Sequence, residues 1–318
     1  MLAAITDSAT GLRLKSVLVA TDFSPVSHKA LQHALSIARH FDAKLYVMHA
    51  VSSLGLTMAG PEAITQAATA ALRDATLIER ELVSSGALRN MHHKVIVRQG
   101  DVWTELQKEI CQDGIDLLVI GTHGRTGFKR LVLGSVAEQI FRNALCRVLT
   151  VGPGSPDDAT LTQEGNRQPL LFATDFSAAS VQALPHAIAI ANQRGARLVL
   201  FHAVSPLPQV KPGRWHGPDY MPNVQEHAAR TALKRLKQLI AEARVAIEPE
   251  CVAEISEPAE GILYASRVLK PECIVMGLKP RTFTDTLSHL PWSIAYDVVC
   301  GASCPVLTVR SGDAMDAA

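Results

Sequence analysis

Charge is scarce in this chain, and what there is nearly cancels. Only 19% of its 318 residues are Asp, Glu, Lys or Arg, and 31 basic residues against 30 acidic ones leave a formal net charge of +1. No global basic field is therefore present to hold nucleic acid. No apolar run approaches the length that spans a bilayer, and the start Met1-Leu-Ala-Ala-Ile-Thr-Asp7 lacks the basic segment and long apolar stretch of a secretory leader. The expected location is cytoplasmic. The six cysteines, Cys111, Cys146, Cys251, Cys273, Cys300 and Cys304, are scattered through apolar surroundings, which fits reduced core thiols better than a disulfide framework. Cys300 and Cys304 stand one helical turn apart, but without a third and fourth ligand beside them packing is favoured over metal binding. What the chain has in quantity is apolar residues, 47% of the total. That is enough to bury a core in each of roughly two domains, the number its length suggests.

The sequence repeats itself. Ser16-Val-Leu-Val-Ala-Thr-Asp22-Phe-Ser24 returns as Pro169-Leu-Leu-Phe-Ala-Thr-Asp175-Phe-Ser177. Lys44-Leu-Tyr-Val-Met-His49-Ala-Val51 returns as Arg197-Leu-Val-Leu-Phe-His202-Ala-Val204, and Arg147-Val-Leu-Thr-Val151 as Pro305-Val-Leu-Thr-Val309. A period of half the chain is a domain duplication rather than a solenoid. The expected domains are residues 1–152 and 169–318. Between them, residues 153–168 are rich in turn formers and polar side chains and form the expected linker.

In the first half, short β-branched runs predict strands at 16–21, 44–51, 93–98, 116–121 and 147–151. Amphipathic stretches between them predict helices at 26–41, 61–86, 101–113 and 134–145. Strict alternation forces right-handed crossovers, so the expected fold class is α/β: two tandem open parallel five-stranded sheets with helices on both faces. Ligands of such sheets gather at the carboxyl ends of the strands, where Asp22, Ala50 and Gly121 fall.

The segment Gly121-Thr-His-Gly124-Arg-Thr-Gly-Phe-Lys-Arg-Leu-Val-Leu-Gly134-Ser135 links a buried strand to a helix starting near Val136. Glycines let backbone N–H groups approach an anion, and a helix N-terminus adds unpaired donors and a favourable dipole. Asp22 has two readings, a turn or capping carboxylate and an acceptor for a nucleotide's amino or hydroxyl groups. His123 points either at a ligand or outward. Lys129 and Arg130 fit a solvated basic loop. Ser135 caps the helix behind Gly134, binds phosphate, or does both. The loop matches neither G-x-x-x-x-G-K-[ST] nor the G-x-G-x-x-G that follows a first strand.

With its G-x-x-G, nine intervening residues and G-S, the loop resembles that of the universal stress protein family. So do the Val-Leu-Val-Ala-Thr-Asp-Phe-Ser opening and the Val-Leu-Thr-Val closing strand. The resemblance covers about residues 14–152 and 168–310. It implies a Rossmann-like, adenine nucleotide α-hydrolase-like fold that binds ATP, ADP or AMP, with or without magnesium. Gly121, Gly124, Gly134, Ser135 and Val136 would hold phosphates and ribose. Ala20, Asp22 and Ala50 would line the adenine side, above Ile120. The resemblance also implies that the closing strands pair within the molecule as a pseudo-dimer, with a further homodimer open.

In the second half the loop begins Gly277-Leu-Lys-Pro280 and ends at Trp292-Ser293. Pro280 falls where Gly124 stood and Trp292 where Gly134 stood, which removes a donor and fills the cradle. Nucleotide is therefore expected in the first half only. The stretch Ser205–Pro222, proline-rich and carrying Trp215 and Tyr220, is expected as a long loop, packed back on the domain or forming an apolar lid. Three function classes follow. The first is a stress-response regulator that binds adenine nucleotide and answers to an unidentified protein partner. The second is a slow ATPase or phosphoryl-transfer enzyme using Asp22 for magnesium and His123 near the γ-phosphate. The third is a scaffold indifferent to nucleotide. The absence of a convincing base, nucleophile or metal carboxylate pair favours the first.

Overall fold

The computed structural model of the protein describes residues 13–51, 61–122, 133–156, 168–207, 220–243, 248–279 and 293–310. Two compact units divide the chain, with the boundary between Gln163 and Glu164. In the first unit the strands are β1 (Ser16–Ala20), β2 (Lys44–Val51), β3 (His93–Gln99), β4 (Leu117–Gly121) and β5 (Arg147–Val151). They lie in the order β3-β2-β1-β4-β5, every pairing parallel. Between them run α1 (Pro25–Phe41), α2 (Pro61–Ser84), α3 (Val102–Asp113) and α4 (Ser135–Asn143). The expected boundaries in this half hold to within two residues.

The second unit repeats the scheme. Its elements are β6 (Leu170–Ala173), α5 (Ala178–Arg194), β7 (Leu198–Val204), α6 (Tyr220–Ala243), β8 (Glu250–Ile255), α7 (Pro258–Leu269), β9 (Cys273–Leu278), α8 (Ser293–Gly301) and β10 (Val306–Arg310). The strand order β8-β7-β6-β9-β10, again all parallel, is that of the first unit. The stretch 205–222 is not loop throughout: Tyr220 opens α6, and Pro222 falls in its first turn, where a missing N–H breaks no helical bond. Trp215 lies outside the described residues, as do most of the linker and the loop from Pro280 to Trp292.

The central strands are apolar without alternation because helices cover both faces. Val17, Leu18 and Val19 of β1 are fully buried, as are Leu170, Leu171 and Phe172 of β6. Because β1 is flanked by β2 on one side and β4 on the other, the chain reverses its direction of winding between β1 and β4. A crevice opens there, outside the carboxyl ends of the strands.

A short polar turn leads from β1 into α1. Thr21 Oγ1 accepts the Phe23 N–H at 3.1 Å, and Asp22 Oδ1 accepts the Ser24 N–H at 3.0 Å. Phe23 takes a left-handed φ of 66°, and Ser24 caps α1 by accepting the Ser27 N–H at 3.2 Å. The second unit builds the same turn: Thr174 accepts from Phe176, Asp175 from Ser177, Ser177 caps α5, and Phe176 has a φ of 61°. Each turn is braced by a histidine. His49 Nδ1 lies 2.7 Å from the Thr21 carbonyl and His202 Nδ1 lies 2.8 Å from the Thr174 carbonyl, so each ring donates there, while each ring packs 4.4 Å from the turn's phenylalanine.

Candidate functional site

The crevice of the first unit is a cleft of about 280 Å³. Its lining includes Ala20 and Asp22 at the end of β1, Ala50 on β2, Ile120 and Gly121 at the end of β4, and Gly134, Ser135 and Val136 at the start of α4. Ten residues were singled out by sequence, and these are eight of them. The other two, His123 and Gly124, lie outside the described residues.

Several lining residues carry no signal in the glycine pattern. Met48 forms part of the cleft wall from β2, and Val102 and Leu106 enter from α3, four residues apart on one helix face. Ile140 of α4 also lines the cleft. These side chains have the spacing of ordinary core residues, so the sequence offers nothing to mark them as lining. The cleft is therefore apolar at the end bounded by β2 and α3. It turns polar toward Asp22, Ser27, Thr122 and the first turn of α4.

Helix α4 is presented bare. Gly134 is its N-cap and makes no side-chain capping bond, which corrects the reading of Ser135 as the cap: Ser135 is the first helical residue. The Gly134 N–H is tied to the Thr122 carbonyl at 3.0 Å, and Thr122 in turn to the Val151 carbonyl at 2.9 Å, so the helix start is anchored to the ends of β4 and β5. The leading N–H groups of a helix have no acceptor within it. Here Ser135, Val136 and Ala137, which carry them, face the cleft. Positive potential thus gathers where an anion would sit.

Gly121 owes its identity to packing as well as to the cleft. A Cβ there would stand 3.2 Å from the Ser27 nitrogen and 3.2 Å from Val26 Cγ1, because α1 begins directly against the end of β4. At the matching Gly277 the approach is closer, 2.2 Å to the Ala179 carbonyl oxygen. This explains why Gly277 persists in a half whose loop sequence is otherwise altered.

Asp22 uses Oδ1 to hold its own turn and still lines the cleft, so the capping and ligand-facing readings are compatible. A carboxylate has more acceptor capacity than one bond consumes. In the second unit, burial pushes the Asp175 carboxyl up, but hydrogen bonds from Ser177 and Ser180 and the nearby Lys279 ammonium outweigh it and leave it below the ordinary value. Among the described residues no cluster of three His, Cys, Asp or Glu side chains could hold a metal ion. No described helix is long and apolar enough to cross a membrane. Burial raises the Cys304 thiol to about 11 and also pushes the Cys273 thiol up, so both stay protonated at neutral pH.

A universal stress protein of Methanocaldococcus jannaschii is 33% identical over 141 residues, covering 43% of this chain and 81% of its own. Universal stress protein A homolog 2 of Coxiella burnetii is 31% identical over 140 residues, covering 43% and 94%. Among solved structures, a universal stress protein from Archaeoglobus fulgidus aligns over 95% of this chain and 100% of its own, with a TM-score of 0.66 at 19% identity. A functionally unknown protein from Pseudomonas aeruginosa aligns over 94% of each chain with a TM-score of 0.60 at 16% identity. At such identities the structures speak to the fold alone. The family profile for the universal stress proteins matches twice, over residues 13–152 and again over 166–310. Since the two matches cover both halves of a duplicated fold, the chain belongs to the universal stress protein family as a tandem, two-domain member.

Proposed function

We propose that the protein binds one adenine nucleotide, ATP, ADP or AMP, in the first-half cleft, and that the bound nucleotide controls its engagement of a partner in a stress response. The observation that supports this reading is the pairing of an apolar end with a bare helix start inside one cleft. A planar base has an apolar place between Ala20, Met48, Ala50 and Ile120. Asp22 offers an acceptor to amino or hydroxyl groups, and phosphates have the N–H groups of Ser135 and Val136. Asp22 is the one carboxylate among the described lining residues, so magnesium would be held chiefly by phosphate oxygens and water. The role proposed is binding, with no hydrolytic step assigned.

Isothermal titration of the full chain with ATP, ADP and AMP tests it. About one equivalent per chain is expected, lost on Gly134→Trp, which places in the first half the residue the second half carries. Absence of binding, or binding unchanged by Gly134→Trp, overturns the assignment of the cleft.

A further inference from the structure

The duplicated fold is its own control for what makes a cleft. Strand register pairs Ala20 with Met48 in the first half and Ala173 with Phe201 in the second. The same main-chain bonds fix both: the Thr21 N–H reaches the Met48 carbonyl at 2.8 Å, and the Thr174 N–H reaches the Phe201 carbonyl at 3.0 Å. Met48 and Phe201 therefore leave the backbone at one place in the fold. Met48 forms cleft wall beside Val102 and Leu106 of α3. Both side chains are buried, Met48 at 1% exposure and Phe201 at 0%, but Phe201 reaches across to α7, the counterpart of α3.

Gly261 shows how far the ring reaches. A Cβ there would stand 3.2 Å from Phe201 Cζ and 2.1 Å from Ser256 Oγ. The tip of the ring thus rests against the first turns of α7, and the ring crosses the gap between β7 and that helix. In the first half the same gap is the apolar end of the cleft. The neighbours have changed to suit. Counted from the residue before each helix, Gly261 stands where Glu105 does, and Ser256 where Gly100 does. In the first half Glu105 Cγ lies 3.3 Å from the Cβ position of Gly100, so one small residue of the pair makes room for the other in both halves, with the roles exchanged.

We propose that Phe201 plugs the base-binding end of the second half, and that the residue at this register, Met48 or Phe201, decides whether a half admits a purine base. The proposal rests on the reading of the first-half cleft as a nucleotide site. A thioether chain is unbranched and can move aside for a planar ring, whereas a phenyl ring wedged against α7 has no such freedom. The second half would then reject adenosine for a reason separate from its altered phosphate loop.

The experiment uses adenosine, which has no phosphates and so reports on the base end alone, titrated calorimetrically into the full chain. The transplant Met48→Phe with Glu105→Gly is expected to weaken adenosine binding at least about tenfold, and Glu105→Gly alone to change it by less than about threefold. In the reverse direction, Phe201→Met is expected to raise the stoichiometry from one equivalent to two. Thermal unfolding checks that the transplant is folded; if it is not, the reverse variant decides. If the wild-type chain takes up ATP or adenosine and the folded transplant binds as well as wild type, or Phe201→Met gains nothing, the plug is wrong and the cleft assignment stands. If the wild-type chain binds neither ATP nor adenosine, both are wrong.

Discussion

At the residue scale, the two copies of the fold show which identities are fixed by packing and which are left to the ligand. Thr, Asp, Phe and Ser recur at 21–24 and 174–177 because together they make one turn, cap one helix and receive one histidine brace. Repetition of Asp22 as Asp175 therefore carried no functional information in the sequence, since either role would repeat. The glycines at 121 and 277 were legible as glycines but not for their cause, which is the close approach of the following helix. That cause is testable. Gly277→Ala drives a methyl to 2.2 Å from the Ala179 carbonyl, where backbone must shift, and should destabilise the chain by about 1–3 kcal/mol in denaturant titration. Gly121→Ala, whose nearest contacts lie at 3.2 Å, should be distinctly milder. Equal effects would mean that the two helices do not differ in how closely they seat.

At the element scale, the alternation of strand and helix was readable because each strand is a short β-branched run bounded by turn formers. The contribution of α3 to the cleft was not readable. Val102 and Leu106 have the i, i+4 spacing of any core-facing helix, and only the seating of α3 beside β2 turns that face into cleft wall. The bare start of α4 contrasts with α3, which is capped by Asp101 accepting the Thr104 N–H at 2.9 Å. Asp101 is held below the usual carboxylate range by its backbone and side-chain hydrogen bonds to Thr104. A cap at residue 134 would satisfy the α4 donors at the expense of the ligand. Gly134→Asp should therefore raise thermal stability slightly, by a few tenths of a kcal/mol, because Asp caps better than Gly. It should also weaken ATP binding more than tenfold, since a fixed carboxylate would occupy and repel the phosphate position. A variant that is both more stable and unimpaired in binding would show that phosphates do not lie at this helix start.

At the scale of the whole molecule, duplication followed by divergence has produced two halves with one topology and different side chains at the strand ends. The first has Met48, Gly100 and the bare glycine start of α4; the second has Phe201 and Ser256 where the first has Met48 and Gly100. A single nucleotide should thus leave an asymmetric mark on a symmetric design. Hydrogen exchange reads this directly, because ligand bound only to the native state suppresses every opening that would release it. With ATP at about 100 times its dissociation constant, the limit is about 2.7 kcal/mol, or roughly a hundredfold slowing of amides exposed by such openings. The slowing should centre on the ends of β1 and β4 and on the first turn of α4, at Ser135, Val136 and Ala137. The matching amides at the ends of β6 and β9 and in α8 should slow much less. Comparable slowing in both halves of amides that exchange by local opening would require a second ligand site, and would place the asymmetry of the sequence outside nucleotide recognition.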